Sequence, residues 1–92
     1  IGGTAALMKY LSSNIKYPTI SQETGSQGKV IVQFVVDKDG TISNPEVVRG
    51  VDPYLDKEAI RVISSMPKWT PGVQNGKKVR VKFTVPVSFR LQ

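Results

Sequence analysis

From Val79 to Leu91 every odd-numbered residue is apolar (Val79, Val81, Phe83, Val85, Val87, Phe89, Leu91), and every even one is polar, basic or proline. Successive side chains of a strand point to opposite faces, so strict alternation over this length marks a strand with one face on a core and the other in water. The wet face carries Arg80, Lys82 and Arg90. Pro86 interrupts the run, and a residue without an N–H is tolerated where no neighbouring strand needs the donor. The last strand is therefore expected at the edge of its sheet, where unpaired backbone groups form a template for another chain.

Composition narrows what such an edge can serve. A chain of 92 residues holds one domain with one core and no second one. It begins at Ile1, and the expectation is a piece, residues 1–92, of a longer, membrane-anchored protein. There is no cysteine and no histidine, which removes disulfides, thiol catalysis, thiolate metal sites and the commonest general base together. No nucleophile is paired with a base and no metal cluster stands out, so neither an enzyme nor a cofactor is expected. The net charge is +6 and uneven: no acidic residue follows Glu58, whereas Arg61, Lys68, Lys77, Lys78, Arg80, Lys82 and Arg90 do. The C-terminal third is a basic surface suited to an acidic partner.

The rest of the chain supplies the elements that would support the last strand. Leu7, Met8, Leu11 and Ile15 recur at helical spacing over Thr4 to Ile15, with Thr4 available as the cap, until Tyr17-Pro18 ends the pattern. Pro18 opens a short second helix closed by Gly25. Lys29 to Val36 is apolar on both faces, as a central strand is, and Asp37-Lys38-Asp39-Gly40 turns it into a second strand, Thr41 to Arg49. Asp52, or alternatively Asp56, caps a helix whose stripe is Leu55, Ala59, Val62, Ile63 and Met66, with Lys57, Glu58, Arg61 and Ser65 opposite. Pro67 stops it, Trp69 folds back on the core, and Thr70 to Lys78 form an exposed loop. The sum is an α+β fold: a three-stranded antiparallel sheet in the order second, first, last, with the helices on one face.

Motifs that could carry other chemistry have simpler readings. Asp37-Lys38-Asp39-Gly40 starts like a calcium loop, but the position of the bidentate glutamate is Val48, so it reads as a turn. Asp56 and Glu58 suit the first turns of a helix, where carboxylates offset the macrodipole. Trp69 beside Lys68 is a plug for the core before it is a stacking platform. A basic strand suggests nucleic acid, yet Phe83 and Phe89 share the apolar parity and face inward, so no nucleic-acid partner is expected.

Tyr17-Pro18, Gly28 to Gly40, Leu55-Asp56-Lys57-Glu58-Ala59 and Pro67-Lys68-Trp69-Thr70-Pro71-Gly72, in that order and spacing, resemble the C-terminal domain of the TonB family. Gly2-Gly3 before the first helix and Asn75-Gly76-Lys77 before the last strand are similar to the forms common in Bacteroidetes. The resemblance implies a periplasmic domain of a protein anchored in the inner membrane of a Gram-negative bacterium by one helix, working with ExbB and ExbD on the proton-motive force. It implies as partner the TonB box of outer-membrane receptors for siderophores, cobalamin or glycans, added as a strand beside the last strand. Carried onto this chain, the receiving residues are Lys78, Val79, Arg80, Val81, Lys82, Phe83, Thr84 and Val85, with Asn14 and Tyr17 at the family's second contact. Where the family is richer in aromatic residues around the tryptophan, this chain has only Lys68-Trp69-Thr70, and pairing is expected to stop before Pro86. A free edge also admits a homodimer. The alternative within the same fold is a TonB-like domain of a membrane sensor or peptidase.

Overall fold

The computed structural model describes residues 4–91. Its elements are helix α1 (Thr4–Asn14), helix α2 (Thr19–Thr24), strands β1 (Gly28–Val36) and β2 (Ile42–Arg49), helix α3 (Pro53–Ser64), a ribbon of strands β3 (Gly72–Gln74) and β4 (Lys77–Val79), and strand β5 (Val81–Phe89); apart from the ribbon, they follow the expected order. The main sheet is three-stranded and antiparallel, in the order β2-β1-β5, which is the expected α+β topology.

β1 is central, and its two faces have different fates. Val30, Val32, Phe34 and Val36 are fully buried beneath the helices, while Ile31, Gln33 and Val35 lie half-buried on the uncovered face. Register carries the burial outward: Val30 faces Val87, Val32 faces Val85 and Phe34 faces Phe83. On the other side Val32 meets Val47 and Val36 meets Ile42, so the apolar parity of each strand reaches the same layer. Leu7 and Leu11 of α1 and Leu55, Ala59, Val62 and Ile63 of α3 close that layer. Met8 departs from the expected stripe, being 39% exposed. Thr4 is already helical, and the glycines before it lie outside the described residues.

The caps explain where the helices start and stop. Asp52, not Asp56, caps α3: its Oδ1 accepts the N–H of Leu55 at 2.7 Å, with Pro53 in the first turn. Asp56 instead accepts the N–H of Val51 at 2.9 Å, holding the chain that leads into the helix. Gly25, at φ 73°, closes α2 in the left-handed region. Gly40, at φ 88°, is required twice, since a Cβ there would also meet the carbonyl oxygen of Trp69 at 2.2 Å. That approach exists because the N–H of Trp69 donates to the Gly40 carbonyl at 2.8 Å, seating the segment after α3 over the β1–β2 turn.

Two expectations are corrected. The stretch from Thr70 to Lys78 is not an open loop: Asn75 (φ 53°) and Gly76 (φ 75°) turn β3 into β4, as a two-residue hairpin with both central residues left-handed requires. Consequently the last strand is not continuous from Val79. Lys78 and Val79 pair with Val73 and Gly72 in the ribbon, the chain changes sheet at Arg80, and β5 starts at Val81. The other correction is Glu58, expected in water and found only 9% exposed.

Candidate functional site

β5 pairs with β1 along its whole length and, among the described residues, has no strand on its other side. In an antiparallel pair, facing residues alternate between those that exchange hydrogen bonds and those that do not. Pro86 has no N–H and stands opposite Ile31, so it occupies a non-hydrogen-bonded pair and its backbone turns to the free edge. Residues two apart share that orientation. The backbone groups of Lys82, Thr84 and Ser88 therefore point outward, whereas those of Val81, Phe83, Val85, Val87 and Phe89 are committed to β1. Pro86 thus divides the edge: two outward N–H groups, of Lys82 and Thr84, lie before it in β5, and that of Ser88 lies after it.

The expected receiving stretch is split by this geometry. Lys78 and Val79 belong to the ribbon; Arg80 joins ribbon and sheet, with its Nε donating to Asp37 Oδ1 at 2.8 Å. Lys82 and Thr84 are exposed and offer the edge, while Val81 and Phe83 are half-buried and Val85 is buried. Phe83 is held from within by Trp69, with ring centroids 5.1 Å apart, and by Phe34, at 6.0 Å. Trp69 is buried, as expected of a core plug, and its edge meets Phe34 at 5.6 Å. The aromatic cluster thereby backs the half of β5 that carries the outward donors. No aromatic ring of this cluster is free to stack on a base.

Asn14 and Tyr17 sit where α1 turns into α2, and both are engaged in holding that junction. Asn14 Nδ2 donates to the Tyr10 carbonyl at 2.9 Å, and the Asn14 carbonyl accepts from Arg61 Nη2 at 3.0 Å. The Tyr17 hydroxyl donates to the Ser26 carbonyl, and its ring meets Phe89 edge-on at 5.6 Å. Burial, with the charge of Asp52, raises the Tyr17 hydroxyl above its ordinary range. The junction is further tied to α3 by Glu58, which accepts from the N–H of Lys16 at 2.6 Å and from Arg61 Nε at 2.6 Å. Burial opposes ionisation of Glu58, but the hydrogen bonds from Arg61 and Lys16 and the charges of both hold its carboxyl below the usual range. This clamp was missed from sequence. Its only local sign is the spacing of Glu58 and Arg61 along one helical turn.

The site is a basic edge with no metal cluster among the described residues. The Asp37–Asp39 segment forms a turn, with Asp39 Oδ1 accepting the N–H of Thr41 at 3.0 Å. Among the described residues no helix is long and apolar enough to cross a membrane.

Comparison with known proteins bears on the same elements. Residues 13–91 match the family described as Gram-negative bacterial TonB protein C-terminal. Protein TonB of Haemophilus influenzae is 33% identical over 85 residues, which are 88% of this chain and 32% of that protein. Protein TonB of Helicobacter pylori is 26% identical over 83 residues, covering 89% of this chain and 28% of that protein. The chain thus spans about a third of the length of these relatives. The solution NMR structure of the Helicobacter pylori TonB C-terminal domain has the same fold, with a TM-score of 0.71 at 24% identity over 94% of this chain and 90% of that one.

Proposed function

We propose that this chain, which belongs to the family of Gram-negative bacterial TonB C-terminal domains, grips the TonB box of outer-membrane receptors by taking it as a fourth strand beside β5. The observation that carries this reading is the free edge of β5, where Lys82 and Thr84 turn their backbone groups outward and no strand of the described residues covers them. The parent protein, in this reading, is anchored in the inner membrane, crosses the periplasm, and transmits force drawn by ExbB and ExbD from the proton-motive force. The domain performs no chemistry; it holds and releases.

The energetics suit that task. Each backbone hydrogen bond contributes on the order of 1 kcal/mol net, while each ordered peptide residue loses about 1–2 kcal/mol of conformational freedom. Main-chain pairing alone is therefore weak. Side-chain contacts and the positive charge of Lys82 and its neighbours supply the remainder, for a dissociation constant near the micromolar range, roughly 8 kcal/mol. A contact of that strength forms, bears load briefly and lets go. Nucleic acid is a poorer occupant, since Phe83 and Trp69 pack against each other in the core.

A panel of box peptides from TonB-dependent receptors, titrated calorimetrically, tests the reading. Lys82→Pro removes an outward donor without touching the β1 ladder and is expected to abolish binding while circular dichroism and melting stay close to those of the parent. Unchanged binding by the folded Lys82→Pro variant would contradict strand addition here.

A further inference from the structure

A groove of about 500 Å³ runs between α1 and β5. Met8, Leu11 and Ile15 form one wall and Pro86 and Val87 the other, with Lys9 the single charged residue lining it. Met8 is 39% exposed there, although Leu7 and Leu11 of the same helix are buried. The TonB family match starts at residue 13, so Met8, Lys9 and Leu11 lie outside the stretch that this chain shares with that family's description.

The position of the groove indicates its occupant. It starts at Pro86, two residues beyond Thr84, the last outward donor before the proline. At a strand rise of about 3.3 Å per residue, a peptide paired with Lys82 and Thr84 reaches the groove after about 7 Å. The side chains of an added strand alternate between the uncovered face of the sheet and the helix side. The helix side is where Met8 and Ile15 line the groove. No carboxylate lines the groove, and Lys9 stands in it while Lys82 stands exposed on the edge that leads to it. An apolar wall with a lone cation fits a segment that combines an apolar residue with an acidic one.

We propose that the bound strand leaves the ladder at Pro86 and places its next helix-side apolar residue in the groove between α1 and β5, with a carboxylate of the same segment facing Lys9. This rests on the strand-addition reading and adds to it a specificity pocket: Lys82 and Thr84 hold any extended backbone, and Met8, Lys9 and Ile15 select among sequences. Receptors whose box lacks an apolar residue at that offset are discriminated against by the loss of that contact.

Methyl-labelled domain titrated with the tightest-binding box peptide of the panel tests the proposal. The Met8 ε-methyl and Ile15 δ-methyl signals are expected to shift with the same midpoint as the amides of Lys82 and Thr84. Met8→Lys, at a partly exposed position, is expected to weaken binding about fivefold, the worth of one to two buried methylenes. The edge amides of that variant still respond at saturation. Replacing the selected apolar residue of the peptide by alanine should weaken binding to the parent domain and leave binding to Met8→Lys nearly unchanged. Edge amides that shift while the methyls stay still overturn the pocket and leave strand addition standing. No shift at the edge amides with any peptide overturns strand addition itself. Methyl shifts that follow protein concentration without peptide assign the groove to a second copy of the chain, and that also overturns the proposal.

Discussion

At the scale of single residues, the structure separates groups that hold the site from groups that form it. Glu58 holds: its carboxylate ties the Lys16 N–H and Arg61 together across the α1–α2 junction. Because its acidity is strengthened in the folded state, its contribution to stability is complete above its unfolded pKa and is lost as the pH falls through the lower folded value. Glu58→Gln is therefore expected to melt below the parent at neutral pH, with the gap narrowing once the pH drops under about 4. Thermal melts across that range check it. Asp52 adds to the same acid sensitivity: burial opposes its charge, but the Leu55 N–H, the hydroxyls of Ser26 and Ser21 and the Tyr54 N–H keep its carboxyl below the usual range. Phe34 forms the base of the aromatic cluster behind Phe83, and it is fully buried. Phe34→Ala should cost about 3–5 kcal/mol in denaturant unfolding and loosen β5 before other elements. Glu58 illustrates what a sequence conceals. Charged residues opposite an apolar stripe default to water, and the partner that draws this one inward is a backbone N–H 42 positions away.

At the scale of elements, the strands and α3 were legible because their patterns are long and agree with their caps. Nine residues of β5 alternate over enough positions for parity alone to assign its core face, while β1, apolar on both faces, was legible as the central strand. Asp52-Pro53 was one of two candidate starts of α3, the other being Asp56, and it is the one that caps the helix. The ribbon was not legible in the same way. Its strands have three residues each, too few to show alternation, and Val79 continues the parity of β5 although it belongs to the other sheet. The available signal was Asn75-Gly76, the residue pair that a two-residue hairpin favours. β2 hides its irregularity similarly: Asn44 adopts φ 49° and the register to β1 shifts there. Pro86 was readable both as a mark of the edge and, once the register is known, as the divider of that edge. Pro86→Val restores an outward N–H between Thr84 and Ser88. It is expected to lengthen the paired segment, raising affinity for box peptides severalfold and protecting the new amide from exchange in the complex. Peptide titration followed by hydrogen exchange reads both effects.

For the whole molecule, the central claim is that a small α+β domain works through backbone rather than side-chain chemistry. Family membership rests on the match of residues 13–91 and on the relatives in Haemophilus influenzae and Helicobacter pylori. The physical case for the edge rests on topology and on one proline. Helices cover one face of the sheet, β2 closes one side of β1, and β5 is left with its outer side open. The absence of acidic residues after Glu58 leaves that side positive, which favours an acidic guest and discourages edge-to-edge pairing between copies. The open edge was legible from sequence as a region, and not by residue, because the orientation of each backbone group depends on the register to β1. The most direct measurement is an amide-resolved NMR titration of the domain with receptor box peptides. Strand addition requires the Lys82 and Thr84 amides to shift and gain exchange protection, while those of Val81, Phe83 and Val85, already bonded to β1, show little gain. Responses confined to the helices or to β2, with the Lys82 and Thr84 amides still exchanging freely at saturation, would contradict it.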